Sequence, residues 1–288
     1  MTVPDTHFSR RETCAADFDD RRECTHMTER ISVIIPAHNE EEYIGQCLES
    51  VRAAERKLPA PVEAVVVLNR CTDRTEAISR EHGATIVHED ARKLSRIRNA
   101  GIRASKGSVI VTIDADSWMS ANMLAEVSRR LAAGRYVGGG VRIKPERMSV
   151  GIFFSMTTFA PRLLLDRSWA GMFWTRREYF DAVGGFNEDL VSAEDVAFAK
   201  RLRAFGLTKG LRYGIIMRAH IVTSCRKFDL FGDWYLFRNR RLVSRILAGR
   251  DREAADHFYY SPRQTQQGQP NNSQNRTVSP RERGPTSG

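Results

Sequence analysis

The chain has little of what staples, anchors or chelates a protein. Its five cysteines, Cys14, Cys24, Cys47, Cys71 and Cys225, are odd in number and scattered, and no two form a Cys-x-x-Cys pair. That pattern excludes a disulfide framework and a cysteine zinc site, and the thiols read as reduced. No run of 18 apolar residues occurs, so no membrane-spanning helix is expected. The first 20 residues carry charges where a signal peptide needs an apolar core, and the expected location is therefore the cytoplasm. Acidic residues are outnumbered, 35 against 45 lysines and arginines, which gives a net charge of +10. Such an excess attracts polyanions, whether nucleic acid, anionic lipid or a phosphorylated substrate. The arginines on expected helix faces, such as Arg129, Arg130, Arg201 and Arg203, are spread out rather than blocked together, the pattern of solvated surface charge.

Apolar residues make up 41% of the 288 residues, enough for a globular core. They are scarce at both ends. Residues 1–29 are charged and aperiodic, residues 259–288 are rich in Pro, Gln, Asn, Ser and Arg, and both are expected to be disordered. Residues 30–258 are expected to form a single α/β domain. Ile31 to Ile35 reads as a strand closed by Pro36. Asn39 and Glu42 follow at capping-box spacing, and Ile44, Cys47, Leu48 and Val51 then share one helical face. Val62 to Leu68 repeats the strand, Asp73 and Glu76 repeat the box, and Ala84 to Val87 gives a third strand. A helix face of Leu94, Ile97 and Gly101 leads to a fourth strand, Ser108 to Ile113, and Ser120 caps the next helix. Continuously apolar strands alternating with helices imply a mostly parallel, Rossmann-like sheet buried on both faces. In such sheets ligands sit beyond the carboxyl ends of the strands, where three polar loops fall: Pro36 to Glu40, Asn69 to Asp73, and Asp114 to Ser117.

After Tyr136 the pattern changes. Gly138-Gly139-Gly140 is expected to interrupt a strand. Val150 to Leu165, with Phe153, Phe154 and Phe159, reads as a helix buried at the rim of the sheet or, alternatively, as one that touches an acceptor or a membrane. A helix is expected from Ala193 to Phe205, opened by a capping box at Ser192 to Asp195. Another is expected from Asp229 to Gly249, with Trp234, Phe237, Val243 and Leu247 inside and a basic outer face.

Two sequence features carry chemistry. Asp114 and Asp116 arrive one residue apart where an apolar strand ends, which suits a hard divalent cation held together with substrate phosphates; a solvated loop pair is the alternative. Asp195, at a helix start, reads either as a capping carboxylate or as a group that accepts a proton. Cys71 has no partner motif that would make it a nucleophile.

Read together, Pro36-Ala37-His38-Asn39-Glu40, Cys71-Thr72-Asp73-Arg74-Thr75, Arg98-Asn99-Ala100-Gly101, Asp114-Ala115-Asp116, Gly184-Gly185-Phe186 and Glu194-Asp195 occur in an order and spacing that resembles family 2 glycosyltransferases of the GT-A fold. The resemblance covers residues 31 to about 226. It implies that Pro36, His38, Asn39, Glu40 and Asn69 line the pocket of the nucleotide base, with Arg98 near the nucleotide. It implies a Mg²⁺ or Mn²⁺ ion held by Asp114 and Asp116, Asp114 lying nearer the ribose. It makes Asp195 the general base of an inverting displacement, with Glu194 beside it as a substrate-binding residue and the reserve candidate for the base. In some relatives a residue at the place of His220 is a third metal ligand; a strand-end histidine is the other reading. Arg226 and Lys227 are placed to clamp a diphosphate or the acceptor. Leu68-Asn69-Arg70-Cys71 departs from the frequent Asp-Asp-Gly-Ser, so the donor base is open: a UDP-sugar by default, with GDP or dTDP sugars as alternatives. A lipid-linked acceptor met at the inner face of a membrane would suit the basic helix after Asp229.

Two rival readings remain at this point. A sugar-nucleotide-forming nucleotidyltransferase would also build an α/β sheet around metal and nucleotide, but it needs a glycine-rich loop after the first strand, and Pro36 to Glu40 has none. A basic nucleic-acid- or membrane-binding protein would gather its arginines on one element, and the stretch after Asp229 is the candidate.

Overall fold

A computed structural model describes residues 29–158, 171–190 and 193–242. Most of the arm at 1–29, the tail at 259–288, the region 243–258 and the second half of the apolar stretch, 159–165, lie outside the described residues.

Strand β1 (Ile31–Ala37) is buried along its whole length. Its side chains alternate between two cores. Val33 and Ile35 pack with α1 (Ile44–Glu55) and α4 (Met123–Ala132), whereas Ile34 packs with α3 (Leu94–Ala104) and α7 (Glu194–Thr208). A strand covered on both faces has no polar side to show, which is why its sequence lacks period-2 alternation. The strand does not stop at Pro36, as expected, but pairs on through Pro36 and Ala37 with β2 (Glu63–Leu68). Its pairing with β4 (Val109–Ile113) ends earlier, at Ile34 and Thr112, so the missing proline N–H takes nothing from that ladder.

The sheet has eight strands. Strands β3 (Thr85–His88), β2, β1 and β4 lie side by side in that order and run parallel. Beyond β4 come β7 (Met172–Arg176), β6 (Tyr136–Pro145), β8 (Arg212–Thr223) and β5 (Ser117–Met119). Here only β6 and β8 run parallel; β7 is antiparallel to both of its neighbours and β5 is antiparallel to β8. The strict strand–helix alternation that implies parallel pairing ends at α4, and the mixed half of the sheet begins there. Gly138 to Gly140 do not interrupt β6 but lie inside it. A Cβ at Gly139 would stand 1.7 Å from the Gly214 carbonyl oxygen, so these glycines let β6 and β8 approach across a bulged register.

Local expectations fail where side chains found longer-range partners. Asn39 adopts φ 51° and braces the neighbouring loop instead of capping α1, accepting from Thr72 N–H at 2.8 Å. Asp73 keeps its local bond, accepting from Thr75 N–H, and adds the Glu41 amide from the neighbouring loop, whereas Ser120 accepts from His220 N–H. The helix expected from Asp229 to Gly249 is broken at Gly232 (φ 88°) into α8 (Arg226–Phe231) and α9 (Tyr235–Arg238). Helix α5 (Val150–Thr157) is buried along one face only: Ile152 and Ser155 are enclosed, whereas Val150 is 67% and Phe153 55% exposed. Among the described residues no helix is long and apolar enough to cross a membrane.

One contact both holds the fold and aims the site. A Cβ at Gly101 of α3 would lie 2.5 Å from Val67 Cγ2 and 2.6 Å from Ile34 Cγ2, so glycine there lets α3 lie directly on the sheet. Arg98 is one turn earlier on the same helix. Gly101→Ala is expected to destabilise the protein by about 1–3 kcal/mol through overpacking, despite alanine's better helix propensity. Denaturant unfolding measures this.

Candidate active site

The chain winds outward from β1 to β2 and β3, then returns to place β4 on the other side of β1. Loops leaving β1 and β4 therefore part, and the crevice between them lies at the switch point of the sheet. Asp114 and Asp116 follow β4 directly into that crevice. The β1 and β2 loops are sewn together beside them: His38 Nδ1 donates to the Asn69 carbonyl at 2.5 Å, and Glu41 accepts from Arg74 N–H at 3.1 Å.

Each aspartate of the pair is held by a different buried arginine. Arg98 reaches from α3, its Nη2 donating to Asp114 Oδ1 at 2.8 Å and its Nη1 to Glu194 Oε1 at 2.7 Å. The Phe186 ring lies 5.5 Å from that guanidinium. Arg226, at the start of α8, grips Glu40 with two parallel bonds of 2.8 and 3.1 Å and meets Asp116 Oδ2 at 3.3 Å. The Tyr43 ring lies 5.2 Å from it. The two forks leave Asp114 and Asp116 as neighbouring like charges where they meet, each with an arginine on its other side. Because Arg98 ties Asp114 to Glu194, the first turn of α7, with Asp195, is drawn to the same place.

Burial sets the proton affinities. The Asp116 carboxyl is pushed above the usual carboxylate range, first by desolvation and then by Glu40 and Asp114, which together outweigh Lys227 and Arg226. Burial also raises Glu194 and Asp195 against the opposing attraction of Arg98. Asp195 Oδ1 accepts from Val196 N–H at 2.7 Å, and Ala193 before it is held at φ 55°, a conformation costly for a residue with a Cβ. Five carboxylates thus share the crevice with Arg98, Arg226 and Lys227, a surplus of acidic groups of the kind a divalent cation would offset. Among the described residues no three His, Cys, Asp or Glu side chains converge as a ready metal cage. A donor set of one or two carboxylates fits Mg²⁺ or Mn²⁺ that keeps its waters and binds substrate phosphates.

Several sequence-predicted residues stand in other roles. Asn69 is buried, and its amide nitrogen donates to the Glu89 and Ala91 carbonyls at 2.5 and 2.9 Å, so it fastens the loop after β3 rather than presenting an amide to a base. Glu40 is buried against Arg226, and Pro36 is buried within β1. His220 is not brought to the carboxylates. Asp116 lies level with Ser224, four residues along β8 and so about 13 Å of strand away from His220. The imidazole faces Lys144 Nζ at 3.5 Å, and desolvation with Lys144 and Arg142 lowers its pKa, the opposite of a cation-binding setting. Burial raises the Cys71 thiol, whose sulfur points at the Ala37 carbonyl, in keeping with an inert group. Sequence reading did not single out Tyr43, nor Ser224, whose Oγ lies 3.5 Å from Asp116 Oδ2. No local signal marks Ser224, because the pairing of β5 with β8 that brings it there spans over a hundred residues.

A family model described as glycosyl transferase family 2 matches residues 32–184, more than half of the chain. Glycosyltransferase AglE of Haloferax volcanii is 27% identical over 216 residues, covering 70% of this chain and 68% of AglE. Putative glycosyltransferase EpsH of Bacillus subtilis is 28% identical over 107 residues, 35% of this chain, and that match spans only 30% of EpsH. Among solved structures, a mannosyltransferase from Pyrobaculum calidifontis in complex with GDP-Man and Mn²⁺ superposes with a TM-score of 0.58 at 22% identity, covering 77% of this chain and 62% of that one. The fold expected from the sequence, GT-A, is the fold observed.

Proposed function

The chain belongs to glycosyl transferase family 2, and from that premise we propose that it moves a sugar from a nucleoside diphosphate to an acceptor hydroxyl with inversion. The observation that carries this reading is the Arg98 bridge, which joins the Asp-x-Asp carboxylates to the helix turn bearing Asp195. Asp195 takes the proton of the acceptor hydroxyl as its oxygen forms the bond to the anomeric carbon. The bond from that carbon to the diphosphate breaks on the opposite side, and the nucleoside diphosphate leaves. Asp195 sits at the positive end of α7, which favours the ionised carboxylate a base needs. Arg98 holds Glu194 and Asp114 still, and Arg226 does the same for Glu40 and Asp116. Asp114 and Asp116 are the residues that would hold Mg²⁺ or Mn²⁺; such an ion, when bound, stabilises charge growing on the leaving diphosphate.

UDP remains the default base and GDP an alternative, the latter supported by the GDP-Man bound in the mannosyltransferase neighbour; dTDP is the third. The Asn69 amide nitrogen is spent on backbone carbonyls, so what Asn69 offers a base is its oxygen, which Arg70 meets at 3.3 Å. A single α/β unit over residues 30–258 is the proposed catalytic domain. The nucleotidyltransferase reading finds no glycine-rich phosphate loop after β1, where Asn39 and Glu40 are bonded to Thr72 and Thr75.

Thermal unfolding with UDP, GDP and dTDP, each with Mn²⁺, Mg²⁺ or chelator, tests the proposal. One nucleotide is expected to raise the melting temperature only when an ion is present, because a ligand that binds the folded state alone stabilises it. Asp116→Asn is expected to abolish that rise. A shift that survives chelation would remove the metal from the scheme.

A further inference from the structure

Helix α5 and the segment around α9 meet in an exposed aromatic patch that the chemistry above does not use. The Phe154 ring stacks on Trp234 at 5.6 Å between centroids and meets Phe237 edge-on at 5.7 Å. Around them Met148, Val150, Phe153 and Leu230 stand open to solvent. The patch is built rather than frayed: Ser155 Oγ donates to the Asp233 carbonyl at 2.7 Å and Ser149 caps α5. Its charge is one-sided. The Arg240 guanidinium lies 4.2 Å from the centre of the Phe237 ring, and Arg238 and Arg241 beside it are exposed. The neighbouring acids, Asp229 and Asp233, share Arg147 at 2.6 and 2.9 Å, which leaves one negative charge against the three arginines 238, 240 and 241.

The geometry points to this patch as the surface by which the protein docks on a bilayer with anionic headgroups. Aromatic rings and aliphatic tips enter the interface while the guanidinium groups at their edge meet lipid phosphates. A twofold contact between two copies fits less well, because it would set the same arginine rim against itself. The patch begins just after Arg226, the residue gripping Glu40 and Asp116, so the docked face and the crevice share one border of the fold. An acceptor presented at that surface is a lipid-linked hydroxyl; this clause alone rests on the transferase reading.

The test is co-sedimentation of the full chain with phosphatidylcholine vesicles and with vesicles that also contain phosphatidylglycerol. Binding is expected for the anionic vesicles, weakening as salt rises. The double substitution Val150→Ser/Phe153→Ser is expected to weaken it at least tenfold, as is Arg238→Gln/Arg241→Gln. Both pairs are exposed, and an unchanged thermal melt shows that each variant folds. Metal-dependent nucleotide binding, measured separately, should be unaffected, so failure of docking and failure of the transferase reading are told apart. Absence of wild-type sedimentation, equal binding to both vesicle types, or a concentration-dependent dimer abolished by Val150→Ser/Phe153→Ser would overturn the proposal.

Discussion

Asp195→Asn is expected to lower turnover by about 10²- to 10⁴-fold while leaving metal-dependent donor binding and the thermal melt close to wild type. The amide oxygen can still accept the Val196 N–H that Asp195 Oδ1 accepts at 2.7 Å, so the purely structural loss is at most about 1 kcal/mol. What the amide cannot do is take a proton from the acceptor. A pH profile separates the two roles further. Burial raises the Asp195 carboxyl, and the group works as a base only when ionised, so wild-type kcat/KM should fall on acidification from a pH above the ordinary carboxylate value of about 4. The residual rate of the asparagine variant should lack that acid limb. Steady-state and single-turnover rates with the identified donor and acceptor decide it. Retention of more than about a tenth of wild-type turnover would assign the base elsewhere, with Glu194→Gln the next substitution to make.

The Asp-x-Asp pair and the Glu194-Asp195 turn were legible in place because each lies at the end of a single strand or helix, and there the sequence pattern and the fold agree. Asp114 and Asp116 follow a five-residue apolar strand, and nothing but a strand end can put both carboxylates at a sheet edge so close together. The parallel half of the sheet was legible for the same reason, since continuous apolar strands between helices have one common solution. The antiparallel half was not. Its strands pair across long separations, β4 with β7 and β5 with β8, and no periodicity records which strand will be the neighbour. Roles failed to be legible where a polar side chain had a choice of partners. The Asn69 amide nitrogen could meet a ligand or a carbonyl, and only the position of the 89–91 loop gives it the Glu89 and Ala91 carbonyls. His220 stands four residues along the chain from Ser224, the residue that lies level with Asp116, and only the pairing of β5 with β8 fixes that offset. Arg98 reads as one basic residue on a helix; its two carboxylate partners lie 16 and 96 residues away.

That double attachment makes Arg98→Met the substitution with the largest expected cost in stability. The Arg98 and Glu194 side chains are 5% and 8% exposed, so removing the guanidinium leaves a carboxylate buried without its partner. Breaking a buried pair in this way costs about 3–5 kcal/mol, whereas Asp114, 41% exposed, can turn to water. The sign of the pH dependence follows from Glu194. Its carboxyl is already raised by burial with Arg98 opposing, and loss of Arg98 raises it further. A folded-state pKa above the unfolded one contributes stability below the unfolded value, near pH 4, that is lost as pH rises through the folded value. The deficit of Arg98→Met should therefore be small near pH 5, where Glu194 is protonated with or without Arg98, and should grow as the pH rises past about 7 toward 8. Adding Glu194→Gln should recover much of the stability at pH 8, because a neutral amide needs no counter-charge, and should restore no activity, because Asp114 and the turn bearing Asp195 are no longer tied together. Urea unfolding of the two single variants and the double variant at both pH values measures the coupling. Simple additivity of the two substitutions would mean that Arg98 holds Glu194 by nothing more than proximity.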